Sequence, residues 1–268
     1  MGYVFNYSEN SIREWYRMNN YALSFLNSKQ QMYYKILWKA AAEHRRFIPA
    51  DGLSVNEINH IFKAVLADTP EFFWFEGKWK IEIIDSLKYI APYYSFDKKT
   101  SDEIQKELNK VSIKLCRKSE PYSDVYDKAR IIYEWFIANV NYGMIVGKGQ
   151  TIYDALVNRE AVCKGLSKGY QFMLNKMNCF SVLQEGTLDN RNKHVWNIIE
   201  IQGRYYNVDI SMGYDCFSFL FEGKEKNNPY RCFAVPNAGL TKKHKISYLP
   251  WTYFNCNAEY NGENQNEE

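Results

Sequence analysis

Apolar residues in the first third of the chain recur mainly at helical spacing. Within residues 30–43 they fall on one face, which predicts an amphipathic helix with the stripe Met32, Ile36, Leu37 and Ala40. A second helix is predicted to begin at Ser54, because Ser54 and Glu57 form a capping-box pair. Its stripe consists of Ile58, Ile61, Phe62 and Val65.

The next segment changes from helical spacing to clustered aromatic and β-branched residues. Residues 72–84 place such runs on both sides of Gly77, which predicts a short hairpin with its turn at that glycine. Another capping-box pair, Thr100 and Glu103, predicts a helix that extends to about Cys116.

The second half of the chain combines two helical patterns with three strand-like runs. Helices are predicted at about 123–139 and 163–177. The strand-like runs are Phe180 to Glu185, His194 to Ile201 and Tyr205 to Ile210, and a turn at Gly203 joins the last two. Residues 211–253 have no clear period.

Three regions follow from these patterns. Residues 1–120 are predicted to form a mostly helical accessory region with a short hairpin, which ends where the chain turns polar around residues 118–123. Residues 121–257 are predicted to form the domain that carries the candidate chemistry. Residues 258–268 are polar and acidic, and we expect them to be disordered.

Composition excludes few classes of protein. The 268 residues, 46% of them hydrophobic, suffice for one large domain or one domain with an extension. A net charge of +3 does not favour nucleic acid binding, and two short basic patches, 44–46 and 242–245, are interpreted as solvated surface. No N-terminal stretch has the basic, apolar and small-residue order of a signal peptide, and no run approaches the ~18 apolar residues of a membrane span. A cytoplasmic location is therefore favoured, while the oligomeric state stays open.

Cysteine and histidine usage argues against metal chemistry. The six cysteines include no C-x-x-C pair, so structural zinc and a redox pair lose support, and we expect free thiols, five of them buried. The four histidines form no H-E-x-x-H motif. A metal-dependent hydrolase is therefore a weak hypothesis, and neither a metal nor a cofactor is expected.

One cysteine has the sequence context of a nucleophile. Cys163 lies at the predicted start of a helix, where unpaired N–H groups and the helix dipole stabilise a thiolate, and Lys164 adds positive charge. Gly165 and Gly169 leave this helix sparsely covered, which allows a neighbouring strand or a substrate backbone to approach closely.

The nucleophile needs a base, and the base needs a group that fixes its tautomer. His194 opens one predicted strand, and Asp209 closes its hairpin partner. Because His194 lies nine residues before Gly203 and Asp209 six after it, we expect a bulge or a register offset to bring the two together. A helix-start cysteine, a strand-start histidine and a strand-end aspartate together favour catalysis over three separate structural roles.

These residues also carry a resemblance to a known family. The runs AVCKGLSKGY (161–170), KHVWN (193–197) and RYYNVD (204–209) resemble, in order and spacing, the three motifs of transglutaminase-like proteins. The resemblance covers about a third of the chain, from Tyr126 to Tyr214. Peptide N-glycanases, a branch with a paired C-x-x-C zinc motif, are discounted because that motif is missing.

The resemblance implies a papain-related α+β fold in which the catalytic helix packs on an antiparallel sheet. It implies that Cys163 forms an acyl-thioester, with His194 as general base and then acid and Asp209 as orienter. The implied activity is that of a transglutaminase, cysteine protease or amidase on peptide or protein amide bonds. An oxyanion hole would use the Cys163 N–H and a side chain. The candidates for an oxyanion donor or pocket wall are Gln150, Trp135 and Trp196.

One alternative remains open beside the enzyme hypothesis. The family includes inactive members. The alternative is therefore that the chain is a catalytically silent binding or scaffold protein. The sequence determines neither the substrate nor the choice between hydrolysis and transfer to an amine.

Overall fold

The computed structural model describes residues 20–143 and 148–260. The chain folds into two compact units, an N-terminal unit (Met1–Glu107) and a C-terminal unit (Leu108–Glu268). Both combine α-helices with an antiparallel sheet, so the predicted α+β class is confirmed. The predicted boundary at residue 120 coincides with the end of a helix, and independent folding of the region after it stays a prediction.

The N-terminal unit packs helices around a small sheet. A 3-10 turn at Ala22–Phe25 precedes α1 (Ser28–Glu43), β1 (Ile48–Pro49), α2 (Val55–Asp68), β2 (Phe75–Ile84), β3 (Leu87–Tyr94) and α3 (Lys98–Ser119), and α3 continues into the C-terminal unit. The three strands are antiparallel in the order β1-β3-β2.

The predicted hairpin exists, but its turn lies elsewhere. β2 and β3 are joined by Asp85 and Ser86, which both have positive φ, as a two-residue hairpin turn of the right twist requires. Gly77 instead lies inside β2, in an irregularity of the register between Phe75 and Trp79, where its φ of 78° suits a glycine. The turn prediction at Gly77 was therefore wrong, because a bulge glycine and a turn glycine look alike in sequence.

The start and the buried face of α2 agree with the sequence prediction. The buried face of α1 and the start of α3 differ from it. Ser54 and Glu57 form the capping box of α2, and its predicted stripe is buried. In α1, however, Met32 is exposed, and Tyr34 takes the buried place. Helix α3 begins earlier than predicted, because the Asp97 side chain accepts a hydrogen bond from the Thr100 N–H.

A buried carboxylate connects three segments of the N-terminal unit. Asp68, the last residue of α2, accepts hydrogen bonds from the backbone N–H groups of Ala22 and Leu23 and from the Tyr34 hydroxyl, at 2.8, 3.0 and 2.9 Å. Burial raises the pKa of Asp68 to about 7, although these hydrogen bonds lower it. The 3-10 turn and α1 are thereby attached to the end of α2.

The C-terminal unit places two long helices against a four-stranded sheet. Its elements are α4 (Val125–Asn139), β4 (Asn141–Tyr142), β5 (Glu160–Ala161), α5 (Cys163–Lys176), β6 (Ser181–Leu188), β7 (Asn192–Ile201), β8 (Arg204–Val208) and β9 (His244–Ser247). Short 3-10 helices lie at Ile210–Gly213, Asp215–Leu220, Gly223–Asn227, Asn237–Gly239 and Pro250–Thr252, and a π-helical turn lies at Asp154–Asn158.

The sheet of this unit contains one strand that the sequence did not predict. Its order is β8-β7-β6-β9, all antiparallel, while β4 and β5 form a separate parallel pair. The three predicted strands are confirmed as β6, β7 and β8. Strand β9 pairs with β6 and comes from the segment without a clear period, because it is only four residues long.

Two buried side chains attach α5 to β7. The Ser167 hydroxyl donates a hydrogen bond to the Val195 carbonyl oxygen at 3.0 Å, and the Asn197 side-chain amide donates to the Ser167 carbonyl oxygen at 3.0 Å. Burial in an apolar interface strengthens such bonds and fixes their geometry. The position of α5 along β7 is therefore set close to the first residue of the helix.

No helix among the described residues is long and apolar enough to cross a membrane. Most of the predicted disordered tail, residues 261–268, lies outside the described residues.

We expect Asp68→Ala to lower the free energy of unfolding by about 2–4 kcal/mol, because two buried N–H groups and a hydroxyl lose their acceptor. Urea unfolding followed by tryptophan fluorescence measures the change. Asp51→Ala, at an exposed position, serves as the control and should change stability by less than about 0.5 kcal/mol. Equal effects of the two substitutions would contradict the role of Asp68.

Candidate active site

Cys163 is the first residue of α5, as the sequence predicts. The residue before it, Val162, provides no side-chain cap, so the first N–H groups of the helix are left for other partners. The sulfur therefore lies at the positive end of the helix dipole, which favours a thiolate. Cys163 is only partly buried, so a substrate can reach it.

A close approach does occur at Gly165, although the segment that approaches is the loop at Gly149 and not the predicted strand or substrate backbone. A Cβ atom at this position would lie 2.3 Å from the Gly149 carbonyl oxygen. The same oxygen accepts a hydrogen bond from the Val162 N–H at 2.9 Å. Only a glycine allows the loop that carries Gly149 to lie this close to the start of α5.

His194 and Asp209 come together without a bulge. In the β7–β8 pair Asn197 lies opposite Val208, and continuing this register by one residue places Trp196 opposite Asp209. His194 and Asp209 are therefore diagonal neighbours on the same face of the sheet, within reach of each other. The register offset that we allowed for is the correct explanation, and the bulge is unnecessary.

The two side chains form a short, buried hydrogen bond. The distance between His194 Nε2 and Asp209 Oδ2 is 2.6 Å. Burial lowers the pKa of His194, but the Asp209 charge and the hydrogen bonds to Asp209 and Cys163 outweigh it and raise the pKa to about 10. Burial alone would raise the pKa of Asp209, yet the two histidines that contact it, His194 and His244, hold it well below its usual range.

The same imidazole connects Asp209 with the sulfur. The Cys163 side chain also interacts with the His194 imidazole and helps to raise its pKa, so the sulfur lies near the ring. Because Nε2 is engaged by Asp209, Nδ1 is the ring nitrogen left for the sulfur. The three residues predicted from sequence thus form one continuous chain of contacts, Cys163–His194–Asp209.

His244 belongs to this site, and sequence reasoning missed it. Its Nε2 lies 3.0 Å from Asp209 Oδ2, and its side chain is buried. The basic patch 242–245 was interpreted as solvated surface, which is wrong for His244 and correct for the three lysines. The alternation in β9, with His244 and Ile246 inward and Lys245 and Ser247 outward, was a signal, but four residues were too few to identify it.

Tyr142 is the second residue that sequence reasoning missed. Burial raises its pKa well above the usual 10, and its hydroxyl also interacts with the backbone of Cys163. The Tyr142 ring contacts the rings of Tyr214 and Phe217, with centroids 5.7 and 5.0 Å away. Since Tyr142 precedes Cys163 by 21 residues, only the parallel pairing of β4 with β5 brings them together.

The three additional candidates lie in different surroundings. Gln150 is exposed and directly follows Gly149, next to the start of α5. The Trp135 ring is covered by the Arg159 guanidinium, 4.2 Å from the ring centroid. Trp196 is fully buried and stacks against His194, with centroids 5.9 Å apart. An oxyanion or pocket role for these residues stays a prediction.

All six cysteines are free, but not all of the five cysteines other than Cys163 are buried. Cys216 is exposed and Cys116 is partly buried, which corrects the expectation of five buried thiols. Their surroundings nevertheless raise the pKa of every one of these five thiols by desolvation.

His194, Asp209 and His244 are also a group whose ligand atoms could hold a metal ion, since all lie within 4.8 Å of one another. Both imidazoles, however, contact the same Oδ2 at 2.6 and 3.0 Å, which are hydrogen-bond distances. Ligand atoms around tetrahedral zinc are about 3.3 Å apart. We therefore interpret the cluster as a hydrogen-bond network.

Comparisons with known proteins give distant structural neighbours. No protein-family model and no curated protein matches the sequence. A solved TGase structure aligns with 50% of this chain at 12% identity and a TM-score of 0.34. A candidate cysteine protease from Cytophaga hutchinsonii aligns with 62% at 15% identity and a TM-score of 0.36. A candidate protease from Parabacteroides distasonis aligns with 48% at 10% identity and a TM-score of 0.32. This chain covers 44%, 65% and 35% of those proteins, respectively.

We expect iodoacetamide to alkylate Cys163 at least about tenfold faster than Cys216 at pH 6, because a thiol with a pKa above 9 is less than about 0.1% thiolate there. Peptide mass spectrometry of the alkylated protein measures both rates. Cys216 is the internal control, since it is exposed but has a raised pKa. Equal rates would show that Cys163 is not activated.

A second prediction concerns stability and pH. The pKa of His194 rises from the usual 6.5 to about 10 on folding, so its protonated form stabilises the fold fully below pH 6.5. That contribution is lost as the pH rises through 10. The difference in unfolding free energy between wild type and His194→Leu should therefore shrink between pH 6.5 and 10.

Urea unfolding at about pH 7.5, 9 and 10 tests this expectation. His60→Leu is the control, because burial lowers the pKa of His60 and its contribution should not change in this range. A difference in unfolding free energy between wild type and His194→Leu that stays constant to pH 10 would contradict the raised pKa of His194.

Proposed function

We propose that this protein is a cysteine-dependent acyl-transfer enzyme that acts on amide bonds of peptides or proteins. The observation that carries the proposal is the arrangement in which Cys163, at a helix start, interacts with His194, whose Nε2 lies 2.6 Å from buried Asp209. A nucleophile, a base and an orienting group in mutual contact are what thiol catalysis requires.

In the first step the Cys163 thiolate attacks the carbonyl carbon of the amide. The positive end of the α5 dipole and the protonated His194 support the thiolate. The carbonyl oxygen becomes an oxyanion in the tetrahedral intermediate, which needs preorganised donors. The Cys163 backbone N–H is the first of these donors.

The Tyr142 hydroxyl is our candidate for the second donor. It contacts the Cys163 N–H, so it lies beside the place where the oxyanion would form. A substrate oxygen that enters between the two groups would accept the N–H hydrogen bond and receive another from the Tyr142 O–H. Because burial raises the pKa of Tyr142, the hydroxyl keeps its proton and can donate.

Collapse of the intermediate completes acyl transfer. The C–N bond breaks while His194 gives its proton to the departing nitrogen, which leaves as an amine or as ammonia and leaves an acyl-thioester on Cys163. A water molecule or a second amine then attacks the thioester and gives a proton to His194. The acid or the new amide is released, and the thiolate and imidazolium are restored.

A comparison of wild type with Cys163→Ala tests the proposal. Release of ammonia, release of new amino termini and incorporation of a fluorescent amine are measured with casein and with peptidoglycan fragments as substrates. We expect wild type to give one of these signals and Cys163→Ala to give none above background. Product formation that survives in Cys163→Ala would overturn the proposal, as would silence of both proteins on every amide together with intact binding of a partner.

We expect Tyr142→Phe to lower kcat by about 10²- to 10³-fold, the usual effect of removing one oxyanion donor. Steady-state kinetics on the substrate identified above measure the change. Gln150→Ala is the matched comparison, because Gln150 is the other candidate donor near the start of α5. A large loss in Gln150→Ala with little loss in Tyr142→Phe would assign the role to Gln150 instead.

A further inference from the structure

We propose that His244 is a positioning residue that acts on catalysis through Asp209, an inference that rests on the proposed function. His194 and His244 contact the same carboxylate oxygen, Asp209 Oδ2. They come from β7 and β9, which lie on opposite sides of β6. Asp209 Oδ2 therefore has two histidine partners, of which His194 also interacts with the Cys163 side chain.

The His244 ring is oriented so that it donates to Asp209. Its Nδ1 lies 2.8 Å from the Thr241 hydroxyl oxygen, and this oxygen also accepts a hydrogen bond from the Lys243 N–H at 3.3 Å. With the Thr241 hydroxyl donating to Nδ1, the ring carries its proton on Nε2, which faces Asp209. The turn before β9 thus fixes both the tautomer and the direction of the donor.

Asp209 uses all of its accepting capacity within the site. Oδ1 accepts hydrogen bonds from the Ser211 N–H and the Ser211 hydroxyl, at 3.1 and 2.6 Å. Oδ2 accepts from His194 and His244. A carboxylate offers about four accepting positions, so these four donors fix its rotation. Without His244, one position of Oδ2 would have no partner at a fully buried charge, and the carboxylate could turn away from His194.

One indole ring holds both histidines in place. Trp196 stacks on His194 with an interplanar angle of 28° and meets His244 edge-on at 83°. The indole itself is fixed, because its N–H donates to Asn207 Oδ1 at 2.9 Å. Because the whole group is buried, the Asp209 carboxylate would be costly to bury without both histidine partners.

Few other titratable groups act on this network. Besides the two histidines, the described groups whose pKa the Asp209 charge affects include Cys232, Tyr133 and Tyr142. Burial raises the pKa of all three well above their usual values, so they stay neutral at physiological pH. The charge on Asp209 is thus balanced by the protonated His194 and by hydrogen-bond donors, of which His244 is one.

The experiment compares His244→Leu with His244→Gln. Leucine fills the space but donates nothing, whereas the Gln side-chain amide can place an N–H near the position of His Nε2. We expect kcat/KM to fall roughly 10- to 100-fold in His244→Leu, the effect of losing a hydrogen bond to a charged group. His244→Gln should recover most of that loss.

The pH dependence separates positioning from a merely structural role. When the Asp209 carboxylate turns away from His194, its charge stabilises the protonated imidazole less, and the pKa of His194 falls. The alkaline limb of kcat/KM should therefore move to lower pH in His244→Leu. It should move less in His244→Gln. Equal losses of rate in both variants with an unmoved pH profile would overturn the proposal.

The alkylation rate of Cys163 by iodoacetamide, measured against pH, keeps the two proposals distinguishable. If wild-type Cys163 reacts no faster than Cys216, the proposed function itself fails. If wild-type Cys163 is activated and its pH–rate profile is unchanged in His244→Leu, only the role of His244 fails. Should His244→Leu not fold, Thr241→Val, which removes only the hydroxyl that holds Nδ1, is expected to shift the same profile in the same direction, and an unmoved profile there would also overturn the role.

A last experiment tests whether the two histidines bind a metal ion. Elemental analysis of the purified protein should find no stoichiometric zinc, and added EDTA should leave alkylation and turnover unchanged. A bound metal lost together with activity on chelation would overturn the proposal, because the imidazole nitrogens would then be ligands and not donors to Asp209.

Discussion

The candidate site depends on the charge of one buried carboxylate. A carboxylate without partners is very costly to bury, yet Asp209 is almost inaccessible. The surrounding chain provides four donors for it, from Ser211, His194 and His244. In return, the carboxylate keeps His194 protonated to high pH, and the Cys163 side chain interacts with the same imidazole. The proposed reactivity of the thiol therefore depends on how Asp209 is held.

The distance between sulfur and imidazole depends on a second constraint, the attachment of α5 to β7. Ser167 and Asn197 bond the helix to the strand one turn after Cys163 and three residues after His194. The Gly149 carbonyl, which only Gly165 can accommodate, holds the loop before the helix. Functional groups placed on a helix and a strand in this way are held more accurately than groups on loops.

The described groups of the candidate site all lie in the C-terminal unit. The N-terminal unit has a buried carboxylate of its own, Asp68, but there the partners are two backbone N–H groups and a tyrosine. Burial raises the pKa of Asp68 to about 7 and that of Asp209 is held low. The difference follows from the partners, since imidazoles that can carry charge stabilise the ionised form more than neutral donors do.

The sequence by itself determined the elements that local pattern encodes. Period and capping identified α2, α4, α5 and the strands β6 to β8, and they placed Cys163 at a helix start and His194 and Asp209 on paired strands. Chemistry-bearing residue types in that order were enough to nominate the triad. The turn at Gly77 was wrong because a glycine with positive φ serves a bulge and a turn equally well.

Only the tertiary structure decided which distant residues complete the site. His244 follows Asp209 by 35 residues and Tyr142 precedes Cys163 by 21, and neither has a local pattern that relates it to its partner. Strand β9 is four residues long, too short to show a period, and β4 is two. Their pairing with β6 and β5 is set by burial and backbone hydrogen bonds across the whole unit, which no short window of sequence contains.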